Sequence, residues 1–237
     1  MSIEIRTMPY MQLEDPNAEK CEYKIKYMLL GDYGVGKTSL VNCLLQRQCG
    51  ADGVIVDHVE KILAHKESGV LCLLDIIDPS CSDKNVAFVH KYVRRRTCYV
   101  LVFDVTNRVS FERLNYWLNM IKENGASPLS YIVVVGNKCD LDDQRSVYNK
   151  EVVQWTRQYC GLFSCYSEVS CKENYNVNKV FENSMSSIYE NIVAGGYVRP
   201  YDVGITMIQR PLPQCVTDCI SPVKRKDKRC LQSCIVL

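Results

Sequence analysis

The 237-residue chain has no apolar run approaching the roughly 20 residues that a membrane-spanning helix needs, so no such helix is expected. Nor is there an excess of one charge. Twenty-nine Lys/Arg against 27 Asp/Glu leave +2, which excludes a wholesale nucleic-acid binder and confines any electrostatic role to local clusters. Histidine is scarce: His58, His65 and His90 have no cysteine or acid at zinc-ligand spacing and read as surface or strand residues. The opening "MSIEIRTMPY" mixes charged and apolar residues and has no leader-like apolar core. Cysteine, by contrast, is abundant, with 14 residues. Most lie in apolar-periodic segments (Cys43, Cys72, Cys98, Cys139), where a reduced thiol behaves as a small hydrophobe, so a reduced, cytosolic chain is expected.

Residues 1–21 are polar, contain two prolines and show no period, and are read as an extension. Tyr23, Ile25, Tyr27 and Leu29 then alternate as a strand, which leads directly into "GDYGVGKTS" and a helical spacing at Leu40, Val41, Leu44 and Leu45. Further strands are expected at about 54–64, Val70–Asp78, Tyr99–Val105, Tyr131–Gly136 and Leu162–Ser167. Between them fall a helix with Phe111, Leu114, Leu118 and Ile121 on one face, a weaker one at "YNKEVVQWTRQYC", and one through Val177, Phe181, Met185, Ile188 and Ile192. Arg94-Arg95-Arg96 reads as a solvent-facing cap at a helix C-terminus. This alternation predicts an open, mostly parallel sheet with helices on both faces. The organisation is therefore 1–21 extension, 22–195 α/β domain, and 196–237 flexible tail.

Gly31-x4-Gly36-Lys37-Thr38 fits a phosphate-binding loop. Its glycines let backbone N–H groups curl around phosphates, Lys37 reaches the β- and γ-phosphates and is the candidate catalytic residue, and the Thr38 hydroxyl suits Mg²⁺. The whole stretch Gly31, Asp32, Tyr33, Gly34, Val35, Gly36, Lys37, Thr38 and Ser39 is the candidate phosphate cradle. "GNKCDL" chooses the base: Asn137, Lys138 and Asp140 follow a buried strand, where ligands of open α/β sheets bind. The Asp140 carboxylate can accept from both the ring N–H and the exocyclic amine of guanine, a donor pair that adenine lacks.

"GDYGVGKTS", "DIIDPSC", "GNKCDL" and "EVSCK" together resemble the Ras superfamily of small GTPases across about residues 22–195. "FDVTNRVSFERLNYWL" looks Rab-like and "CLLDIID" more Ras-like. The resemblance implies the P-loop GTPase fold, binding of GTP and GDP with Mg²⁺, and protein effectors and regulators acting on a monomer. It further implies that Ser170, Cys171 and Lys172 form a second guanine-contacting loop, and that Asp78 joins Thr38 at the metal. Where the family has a first-switch threonine, this chain has Val56, and no Ser, Thr or Tyr stands between Ser39 and Ser68. Cys81 and Ser82 replace the family's glycine and water-positioning glutamine, Tyr33 adds bulk to the phosphate loop, and Cys49 stands where an aromatic usually covers the base. Asp52 or Asp57 is an alternative Mg²⁺ ligand. Slow or absent hydrolysis is expected, the alternative being a non-hydrolysing adaptor.

The last four residues, Cys234-Ile235-Val236-Leu237, fit a prenylation box, and the terminal leucine favours geranylgeranyl on Cys234. One lipid holds a membrane weakly, so a second signal is required. "KRKDKR" (224–229) supplies charge and Cys230 a palmitoylation site, with Cys219 and Cys215 less favoured. A lipid-anchored protein at the cytoplasmic face of a membrane is expected.

Overall fold

The computed structural model describes residues 20–47, 58–79, 92–94, 96–124, 130–159, 163–196 and 204–207. Among these, strands β1 (Tyr23–Leu30), β2 (His58–Ala64), β3 (Leu71–Ile77), β4 (Cys98–Asp104), β5 (Tyr131–Asn137) and β6 (Phe163–Glu168) form one sheet in the order β2-β3-β1-β4-β5-β6. β1, β3, β4, β5 and β6 are parallel, and β2 is antiparallel to β3. All seven residues of β4 are buried. That is what a strand covered on both faces requires, and it explains the unbroken apolar run.

One core lies between the sheet and helices α1 (Lys37–Leu44) and α5 (Val177–Val193), built on Ile25, Tyr27, Leu74, Val100, Val133 and Phe181. The other lies under α2 (Arg108–Glu112), α3 (Leu114–Glu123) and α4 (Asn149–Arg157), built on Met28, Tyr99, Phe103, Leu118, Val134 and Trp155. The helix expected through Phe111 and Ile121 is divided in two at Arg113 (ψ −6°). Its start is set by Asn107, whose side chain accepts from Val109 N and Ser110 N.

Three features depart from the sequence reading. Arg96 is not a water-facing cap: it is buried, donates to Tyr92 O at 2.8 Å, and feels the charge of Asp75. His65 is also buried, packed on Tyr189 with centroids 4.6 Å apart and bonded to Ser68. Within the expected tail, β7 (Ile205–Met207) pairs antiparallel with Tyr23–Ile25. β4 covers that edge of β1 only from Tyr27 onward, so β7 fills the uncovered half. Its Ile205 side chain joins the first core at 1% exposure.

The half-buried face of β1, β2 and β3 carries an ionic network in place of apolar residues. Lys24 Nζ reaches Glu60 Oε1 at 2.6 Å and Asp75 Oδ2 at 3.5 Å, and His58 Nε2 bonds Asp75 Oδ1. Burial by itself raises the Asp75 pKa, but the hydrogen bond and charge of His58, with Lys24 and Arg96, outweigh it and hold the carboxyl below its usual value.

Two outcomes are expected. Ile205→Asp places an unpaired charge in the core and lowers stability by about 3 kcal/mol in urea unfolding, whereas truncation after residue 210 leaves stability unchanged. A depressed carboxyl pKa stabilises above the unfolded value of about 4 and loses that contribution as pH falls through the folded value, so Asp75→Asn should flatten the acid limb of a stability–pH profile.

Candidate functional site

The C-terminal ends of β1, β3, β5 and β6 meet at one end of the sheet, where the sequence motifs lie. After β1 the chain turns at Gly31, where any Cβ would stand 2.1 Å from Val102 O of β4. It enters α1 through Gly36, which has left-handed backbone (φ 96°) and whose Cβ would stand 2.2 Å from Asn137 Nδ2. Both positions therefore exclude a side chain. Lys37 is buried and its Nζ donates to Gly31 O at 2.8 Å and Asp32 O at 2.7 Å, folding the ammonium back over its own loop. Val35 is buried, Gly34 is exposed, and Ser39 is half-buried behind Thr38. Tyr33 is 88% exposed.

Asp78 is delivered by β3 and lies buried one residue beyond it. Thr38 Oγ1 donates to its Oδ2 at 2.5 Å, so the two residues predicted at the metal do meet across 40 residues of chain. Hydroxyl and carboxylate oxygens are hard donors that suit Mg²⁺. Among the described residues no three His, Cys, Asp or Glu side chains gather as a metal site. Thr38 and Asp78 together offer one hydroxyl and one carboxylate, a protein share that suits Mg²⁺ bound alongside phosphate and water.

Asn137, the last residue of β5, is 2% exposed. Its Nδ2 donates to Val35 O at 2.8 Å, while its Oδ1 accepts from Lys138 N at 2.8 Å and Cys171 N at 3.2 Å. Phosphate loop and base loops are thereby joined through one side chain. Lys138 adopts left-handed backbone (φ 66°) and its Nζ pairs with Asp104 Oδ2 at 2.6 Å. Ser170 Oγ donates to Asp140 Oδ1 at 2.6 Å, fixing the carboxylate proposed to read guanine, and accepts from Glu173 N at 3.1 Å. The Cys171 N–H is engaged with Asn137, and Lys172 is exposed. Cys43 on α1 donates its thiol to Cys171 O at 3.0 Å, supporting the same loop from below.

Three contributors were not among the candidate site residues, although they lie within the Rab-like stretch "FDVTNRVSFERLNYWL". Asp104 holds Lys138, and Arg113 and Trp117 hold the side chain of Asp32. Their positions are set by tertiary packing, 34 to 85 residues along the chain from their partners. Cys49, Asp52, Val56, Asp57, Cys81, Ser82, Cys215, Cys219, Cys230 and Cys234 lie outside the described residues.

A strand, a phosphate loop and a helix, with a buried asparagine tying that loop to a second one at the sheet's C-terminal end, define a P-loop α/β protein of the small GTPase type. The Ras family model matches residues 26–190. Ras-related protein Rab-42 of Mus musculus is 30% identical over 200 residues, covering 81% of this chain and 91% of that protein. Ras-related protein Rab-12 of Homo sapiens is 28% identical over 172 residues, covering 72% and 69%. This chain belongs to the Ras family of small GTPases.

If Asn137 is the tie between the loops, Asn137→Ala leaves Val35 O and Cys171 N buried without that partner and should cost about 3 kcal/mol in urea unfolding. Hydrogen exchange should quicken in residues 31–36 and 169–173 together, not in one loop alone.

Proposed function

We propose that this chain binds GTP and GDP with Mg²⁺, hydrolyses GTP slowly, and acts in signalling or vesicle trafficking at the cytoplasmic face of a membrane. The observation that carries the binding reading is the Asn137 tie, which makes the phosphate cradle and the guanine-selecting carboxylate Asp140 parts of one rigid site. Lys37 is set to lie along the β- and γ-phosphates once its two carbonyl partners are exchanged for phosphate oxygens. Thr38 and Asp78 would hold Mg²⁺, which supplies charge neutralisation to the phosphates.

The slow-hydrolysis reading is supported by residue identity. The serine hydroxyl at Ser82 is too short to orient an attacking water as glutamine does, Cys81 lacks glycine's backbone freedom, and Val56 offers no oxygen to the metal. Membrane attachment is supported by Cys234 in its terminal box, by Cys230, and by the basic run 224–229, a lipid-plus-charge combination sufficient for stable anchoring. No helix among the described residues is long and apolar enough to cross a membrane. The same substitutions favour a second reading, in which the chain keeps the fold and recruits protein partners without turnover.

Single-turnover hydrolysis of GTP bound to the full chain tests these readings. The wild type should turn over far more slowly than ordinary relatives, and Cys81→Gly with Ser82→Gln should raise the rate by about tenfold or more. A wild-type rate equal to those relatives sinks the slow-hydrolysis reading, and no turnover in either protein favours the adaptor.

A further inference from the structure

Asp32 follows Gly31 in the phosphate loop, and its backbone carbonyl is one of the two that seat Lys37 Nζ, at 2.7 Å. A carboxylate at this place is a liability for a polyphosphate site, because two negative charges a few ångströms apart repel strongly in a partly desolvated cleft. The side chain is drawn to the helical side of the site. Its Oδ1 accepts from Trp117 Nε1 at 2.9 Å and pairs with Arg113 Nε at 3.1 Å, leaving the Asp32 side chain 16% exposed.

Both donors are themselves held. The Arg113 guanidinium lies over the Tyr116 ring, 5.6 Å from its centroid, and Tyr116 meets Trp117 edge-on at 5.2 Å. Arg113 occupies the junction where α2 ends and α3 begins. From there its side chain reaches a loop 81 residues earlier in the chain. Tyr33, the residue after the clamped aspartate, stands 88% exposed.

We propose that Arg113 and Trp117 are positioning residues for the phosphate loop: they neutralise the Asp32 carboxylate and hold it on the helical side of the site, away from the phosphate cradle, and so set how slowly a nucleoside polyphosphate leaves. This rests on the nucleotide-binding reading above. Arg113 acts through charge and Trp117 through one directed hydrogen bond, both made to the Asp32 carboxylate.

Release of fluorescent GDP from the full-length protein tests the clamp, with a thermal melt run on every variant. Arg113 is half exposed, so Arg113→Ala should fold; its release rate should rise about fivefold, a value that discounts a charge-assisted bond for solvent screening. Trp117→Phe keeps the ring but loses the N–H and should shift the rate the same way. Adding Asp32→Asn to Arg113→Ala should return release close to wild type, since a neutral amide does not repel phosphate, and Arg113→Lys should restore it in part. A merely structural role for Arg113 would not respond to a charge removed elsewhere. Unchanged release in Arg113→Ala, or failure of Asp32→Asn to restore it, overturns the clamp while leaving nucleotide binding intact. Wild-type protein that binds no GDP at micromolar concentration overturns the nucleotide reading and the clamp with it.

Discussion

The site depends on one buried amide. Asn137 ends β5 between β4 and β6, and from there its side chain bonds backbone groups of two other loops, Val35 O and Cys171 N, as well as the next residue's own N–H. An amide offers donors and an acceptor on two separate atoms, whereas a hydroxyl has both on one oxygen. Aspartate would present oxygen to Val35 O, and leucine would leave both loops with unsatisfied polar groups in a low-dielectric interior. Gly36 answers the same constraint from the other side, since any Cβ there would collide with the Asn137 amide nitrogen. Base recognition and phosphate recognition are thereby made a single mechanical object.

Around that tie, the phosphate loop is held at several separate points. Val102 of β4 closes on Gly31, Asn137 holds Val35, Asp78 meets Thr38, and the junction of α2 and α3 holds Asp32. Each tether comes from a different part of the sheet or its helices. A loop that must bend backbone N–H groups inward cannot be stabilised by its own ladder bonds, so its order is borrowed from its neighbours. The departures from the family pattern that the sequence carries at Cys49, Val56, Cys81 and Ser82 lie outside the described residues.

The strands were legible because strands covered on both faces must be apolar throughout, and β4 and β5 read that way. The phosphate loop and the N-K-x-D turn were legible because their chemistry is local and their spacing short. The break at Arg113 was not, since Phe111 through Ile121 keeps one apolar face on either side of it. Arg96 read as water-facing and His65 as a surface or strand residue, because polarity alone says nothing about the Asp75 carboxylate or the Tyr189 ring that the fold sets beside them. β7 escaped notice because three residues within a proline-containing tail carry no period.

The sequence by itself determined the sheet-and-helix alternation and the pattern of the phosphate loop and the N-K-x-D turn, since each follows from residue types at short or ordered spacing; the meeting of Thr38 and Asp78 was implied only by the resemblance to the family. Only the tertiary structure decided which distant groups share a hydrogen bond: Asn137 with Val35 and Cys171, Asp32 with Arg113 and Trp117, and Ile205 with the open edge of β1. The physical reason is that a polar side chain's state is set by what neutralises it after burial, and that partner lies anywhere along the chain the fold brings close.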